Sequence, residues 1–154
     1  MNVDDHHALQ LIRGFARIEF ALKTLPEFVK GKPGDTPETQ WTAYYPIARQ
    51  AIGEATSKEA RDVLLGTHAN DPPPKKMVIT AIGEVDFEDC PLQGPIGDKL
   101  MDAARRVRNN LVHGGKEHAF QERYPGHDQR LVVAALEVIH IAAAADARVA
   151  RLFF

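Results

Sequence analysis

Apolar residues recur along the chain at helical spacing, in blocks separated by glycine and proline. Leu11, Phe15, Ile18, Leu22 and Leu25 alternate steps of four and three, which predicts an amphipathic helix from about Asp4 to Leu25. Asp4 and Asp5 suit its positive end, and Pro26 with Gly31-Lys-Pro-Gly34 supplies the stop and loop. Thr36-Pro37 reads as the cap and first position of a second helix, carrying Trp41, Tyr44, Tyr45, Ile47 and Ala48, with Pro46 kinking or shortening it. The capping-box pattern Thr56-Ser-Lys-Glu59 opens a third, short helix to about Leu65.

The texture then changes. Five prolines fall between Gly66 and Gly97, and Met77 to Phe87 is rich in β-formers around Gly83, so a small hairpin is expected there. Helix returns from about Ile96 to His113, with Ile96, Leu100, Ala103, Ala104, Val107 and Leu111 on one face and Gly114-Gly115 as its stop. A polar loop containing Tyr124-Pro-Gly-His-Asp128 leads to a last helix from about Asp128 to Leu152. Its polar stripe is narrow (Glu137, His140, Ala144, Arg148, Arg151), so it is either central in a bundle or shared with a second subunit. The sum is an all-α, antiparallel, up-and-down four-helix bundle with a Pro-rich insertion, in a single domain over residues 1–154.

Composition narrows the class. At 44% hydrophobic and 26% charged, with a net charge of −2, the chain matches soluble globular proteins and excludes a disordered or fibrous one. The longest apolar stretch, Leu131 to Ala145, holds Glu137 and His140 and falls short of the ~20 residues of a bilayer span. A lone cysteine, Cys90, excludes a disulfide framework, and with the polar, acidic opening segment it leads us to expect a cytoplasmic protein. Ser57 is the only serine and sits in a capping pattern, no phosphate-cradling glycine loop is present, and Cys90 has no base near it in sequence. The seven histidines include His113, His118 and His127 around the polar loop, but none has metal-site spacing. No cofactor and no metal are expected.

The densest chemical signal is Arg105-Arg106-Val107-Arg108-Asn109-Asn110-Leu111-Val112-His113-Gly114-Gly115-Lys116, with four cationic side chains, a histidine and no acid. Asn109 and His113 are four apart and share a helix face that extends back through Arg105 and Asp102. His113 lies about 200° from Leu111, so it faces solvent, the Pro-rich segment or another chain. A solvated basic face ending in a histidine that favours the helix dipole explains the same residues without function.

This stretch resembles the signature of the HEPN superfamily (higher eukaryotes and prokaryotes nucleotide-binding domains): an arginine, a polar residue, then a histidine a few residues on. Arg108, Asn109 and His113 match it, and His113-Gly114-Gly115-Lys116 is similar to the continuation of the motif in bacterial members. Arg17-Ile-Glu-Phe-Ala-Leu-Lys23, Pro72-Pro-Pro-Lys-Lys76 and the alanine-rich last helix extend the likeness. The resemblance implies a helical bundle that dimerises so that two motifs converge. It also implies metal-independent RNA cleavage of the toxin or defence type, or else a non-catalytic module that binds a nucleotide or a protein. The implied partners are RNA or a nucleotide, a second copy of the chain and a cognate antitoxin of the nucleotidyltransferase type.

In that chemistry Arg108 holds the scissile phosphate and Asn109 orients His113 or the phosphate. His113 serves as general base or acid, a role suited to imidazole, which titrates near neutrality. Arg105 and Lys116 are candidate substrate-binding residues. Arg108 and His113 are about 140° apart around one helix axis, which favours a site shared by two subunits. Glu19, beside the apolar stripe of the first helix, is a candidate partner for an arginine of the motif helix. A purely structural helical dimer is the third reading.

Overall fold

In the computed structural model, residues 1–67, 72–113 and 125–154 are described. The chain is mainly α-helical, and the described residues include two small antiparallel sheets. Helix α1 (Asp5–Lys23) starts where the Asp4 carboxylate accepts the His7 backbone N–H at 3.0 Å, and it buries Leu11, Phe15, Ile18 and Leu22 as their spacing predicts. A 3₁₀ turn at Pro26–Phe28 leads to a two-residue ladder, in which β1 (Val29–Lys30) pairs with β2 (Glu38–Thr39).

That ladder corrects the expected start of the second helix. Glu38 and Thr39 pair with β1, and the Gln40 N–H donates to the Phe28 carbonyl at 2.8 Å, so α2 begins at Trp41 and runs to Ala55. Pro46 does not shorten it; Pro46 and Thr42, whose carbonyl loses its helical partner, both lie at the exposed surface. The cap of α3 (Lys58–Leu65) is Ser57, whose hydroxyl accepts the Ala60 N–H, while Thr56 ends α2 with its hydroxyl donating to the Ile52 carbonyl. Gly66 then takes the left-handed conformation at φ 76° against Pro73, which leaves no space for a Cβ.

The expected hairpin is present, with β3 (Lys76–Ile79) paired to β4 (Val85–Glu88) in the register Lys76–Glu88 to Ile79–Val85. Helix α4 (Ile96–Val112) matches the predicted span closely. Leu100, Ala103, Ala104 and Val107 are fully buried and Leu111 partly so, whereas Ile96 at the helix start remains exposed. Its first turn lies directly on α2: a Cβ at Gly97 would sit 2.1 Å from the Arg49 carbonyl oxygen.

The long last helix is in fact two. Helix α5 (His127–Ala144) ends, and Asp146 caps α6 (Ala147–Phe153) by accepting the Arg148 N–H at 2.8 Å. The break returns Val149 and Phe153 to the core, where α6 packs on both α1 and α5. Helix α5 meets α1, α2, α3, α4 and α6, and its central position accounts for its narrow polar stripe. Among the described residues, buried side chains from all six helices form one cluster. Among the described residues, no helix is long and apolar enough to cross a membrane.

Candidate functional site

Helix α4 presents its polar residues in different directions because its apolar stripe is committed to the core. Asp98 in the first turn forms a two-point pair with Arg49 of α2, with both N···O distances 2.9 Å. Past that clamp, three arginines and two asparagines occupy the flanks of the stripe.

Arg108 turns toward α1. Its Nη2 donates to Glu19 Oε1 at 2.7 Å, and its guanidinium carbon lies 4.9 Å from the centre of the Phe15 ring. Both charged side chains are largely covered, 24% exposed for Arg108 and 21% for Glu19. Glu19 therefore meets an arginine of the motif helix, as its position suggested. The pair is single-pointed, and the buried Arg108 Nε has no partner.

Arg105 turns the other way, toward α2. Its Nη1 donates to the Tyr45 hydroxyl at 2.9 Å and lies 3.6 Å from Asp102 Oδ1, while its guanidinium carbon is 5.3 Å from the Trp41 ring centre. The Tyr45 hydroxyl donates in turn to Asp102. Burial holds the Tyr45 phenol well above its ordinary pKa, so this hydroxyl stays protonated across the physiological range.

Asn109 is half-buried on the same flank as Arg105. His113 is exposed and forms the C-terminal cap of α4, its backbone N–H donating to the Asn109 carbonyl at 3.0 Å. Lys116 lies outside the described residues, as do the Gly114-Gly115 stop and His118. Within one chain, then, Arg108 is directed to α1 and Asn109 to the opposite flank, with His113 at the helix end. A single chain does not gather the three around one point, in line with their angular separation.

Two residues carry more of the site than the sequence suggested. Arg106 Nη1 donates to the carbonyls of Cys90 at 2.5 Å and Pro74 at 3.5 Å. Asn110, only 3% exposed, donates from Nδ2 to the Lys75 carbonyl at 3.0 Å. Together they fasten both ends of the hairpin segment onto α4. Asn110 follows Ala103 by seven residues and so sits on the buried side of the helix; an amide in that place was the available signal. For Arg106 no signal existed, because its acceptors are backbone carbonyls distant in sequence.

The fastened hairpin forms one wall of a cleft of about 310 Å³. Lys76 and Met77 of β3 face Asp102, Arg105, Arg106, Asn109 and Asn110 of α4 across it. Three cations and one carboxylate line this space, so its field favours an anion. Among the described residues, no group of three histidine, cysteine, aspartate or glutamate side chains is placed to hold a metal ion. Compared with known proteins, the chain matches no family model, no curated protein and no solved structure.

Proposed function

We propose that the chain is a HEPN-like, metal-independent endoribonuclease of the toxin or defence type. In this reading α1, α2, α4 and α5 form an antiparallel four-helix bundle that acts in the cytoplasm as a homodimer with composite sites. Arg108 of one subunit and His113 of the other flank the same phosphate. The observation that carries the reading is the placement of Arg108: Glu19 and Phe15 fix its guanidinium through Nη2 and the ring face, while 24% of the side chain stays exposed. A fixed guanidinium with donors to spare suits a phosphate oxygen.

Beside it, α1 offers an exposed apolar stripe of Leu9, Ile12, Ala16 and Phe20, the last 62% exposed. The stripe borders Glu19 around the helix, so a second copy seated there lies against the Arg108 side of α4. At the end of that helix Val112 and His113 are also exposed.

The chemistry asks little of the protein beyond position and proton transfer. His113 accepts the proton of the ribose 2′-hydroxyl as its oxygen bonds to phosphorus, or protonates the 5′-oxygen as the bond from phosphorus to that oxygen breaks. Arg108 neutralises charge growing on the non-bridging oxygens. Asn109 orients the imidazole or the phosphate.

The test is RNA cleavage by the purified chain in excess chelator. The native protein is expected to cleave, and Arg108→Ala and His113→Ala are each expected to be inactive. Mixing the two inactive variants should restore about a quarter of native activity: half of the randomly paired dimers are mixed, and each has one intact composite site. Cleavage by either variant alone, or no cleavage by the native chain, overturns the reading.

A second reading is favoured by the same ion pair. Glu19 neutralises Arg108 within its own chain, so the protein would bind a nucleotide or a protein partner without cleaving. It predicts salt-dependent binding of RNA with no turnover.

A further inference from the structure

We propose that the cleft between β3 and α4 is a subsite for one nucleotide unit of a single RNA strand, next to the reactive end of α4. The choice of RNA as the source rests on the function proposed above; the existence of the subsite does not, since a chain that binds without cleaving would also have it. Charge is the first argument. Lys76, Arg105 and Arg106 line the cleft with one carboxylate, Asp102; among the described residues neither Lys76 nor Arg106 forms an ion pair, although Glu88 lies opposite Lys76 in the ladder.

Hydrogen-bonding capacity is the second. Asn110 Oδ1, an acceptor, and Arg105 Nε, a donor, are both buried without a partner, and both belong to residues lining this cleft. Buried polar atoms are rarely left so. A ligand that answers both must accept and donate. A nucleotide unit accepts through its phosphate oxygens and donates through its 2′-hydroxyl and base edge, whereas inorganic phosphate offers chiefly acceptors.

Size and rigidity agree. A volume of about 310 Å³ falls at the small end of ligand sites and is too small for a duplex. The hairpin wall is held at both ends by Arg106 and Asn110, so the slot exists before anything binds. Asn109 lines it and lies four residues before His113 on the same face of α4, so a bound unit sits on the His113 side of the helix. An unpaired strand can enter such a slot, and the hairpin then selects which unit enters.

The test uses the full chain and titrates it with adenosine 5′-monophosphate, adenosine and inorganic phosphate, followed by calorimetry and by amide shifts of residues 76–77 and 102–110. The monophosphate is expected to bind at least about tenfold more tightly than either fragment, with shifts confined to those two segments. Lys76→Glu, which reverses a wall charge, and Met77→Trp, which fills the slot, should each weaken it by about tenfold or more. Arg151→Glu, remote on α6, should not, and the circular dichroism of all three should stay native.

Equal binding of phosphate and monophosphate, no binding, or shifts elsewhere would overturn the subsite. An unmodified RNA oligonucleotide, titrated into the His113→Ala chain so that it is not cleaved, should displace the monophosphate at lower concentration; failure to do so overturns the strand and leaves a free nucleotide as the ligand. RNA cleavage unaffected by Lys76→Glu, with no monophosphate binding, removes the subsite alone. Monophosphate binding lost in Lys76→Glu, in a chain that never cleaves RNA, upholds the subsite and removes the nuclease.

Discussion

The pair between Glu19 and Arg108 joins helices 89 positions apart in sequence, and its strength can be worked from its surroundings. A fully exposed pair contributes about 0–1 kcal/mol. This one is four-fifths covered on the Glu19 side and three-quarters covered on the Arg108 side, with one charge-assisted hydrogen bond at 2.7 Å. Such a bond contributes about 1.5–3 kcal/mol, and the contact with Phe15 adds about 0.5–1 kcal/mol.

Arg108→Ala removes both and leaves the largely covered Glu19 without its cation, so we expect a loss of about 2–4 kcal/mol. For a chain of this length that lowers the melting temperature by about 4–16 °C. Glu19→Gln keeps the shape and an acceptor but not the charge, and should lose about 1 kcal/mol. The assay is a double-mutant cycle by urea unfolding on the native chain, the two single variants and the double variant. A coupling of about 1–2 kcal/mol is expected. A coupling below about 0.3 kcal/mol would refute the claim that Glu19 fixes the guanidinium, and with it the main support for a preset phosphate contact.

Three further outcomes concern other parts of the molecule. Gly97→Ala puts a methyl group 2.1 Å from the Arg49 carbonyl oxygen, which forces α2 and α4 apart; a loss of about 3 kcal/mol is expected in urea unfolding, where alanine in an open helix would instead gain stability. Arg106→Met strips the donor from the Cys90 and Pro74 carbonyls, so amide exchange in β3 and β4 should accelerate about tenfold while α4 is unchanged; equal rates in both proteins would count against the anchoring role. The Asp4 carboxylate is held near a pKa of about 2, first by the His7 backbone N–H and then by the His7 side chain, against an ordinary value of 3.8. A depressed acid stabilises the fold above its unfolded pKa and loses that effect as pH falls, so the difference in melting temperature between the native chain and Asp4→Ser should vanish between about pH 4 and pH 2.

What could be read from the chain was what a single turn or a single strand decides. The four- and three-residue steps of Leu11, Phe15, Ile18 and Leu22 fix the inner face of α1, and all four are buried. The β-formers flanking Gly83 gave both strands of the hairpin, and the span of α4 came from its stripe. The two misplaced helix boundaries share a cause. Thr36-Pro37 is a sound local start signal, but backbone pairing with Val29 and Lys30 claimed Glu38 and Thr39. Nothing between Asp128 and Leu152 forbids a continuous helix; it is the return of Val149 and Phe153 to the core that sets the Asp146 break.

The site divides along the same line. Local order alone determined that Arg105, Arg108, Asn109 and His113 ride on one helix, and that Arg108 and His113 diverge around its axis. Only the tertiary structure decided that Arg108 goes to α1 and Arg105 to α2. It likewise decided that Arg106 and Asn110 hold the proline-rich segment as the wall of a charged cleft. Helical periodicity is a property of neighbouring residues and is written in their spacing. The choice of partner for a guanidinium or an amide depends on which distant backbone the packed core delivers to it, and that is settled only when the helices have assembled.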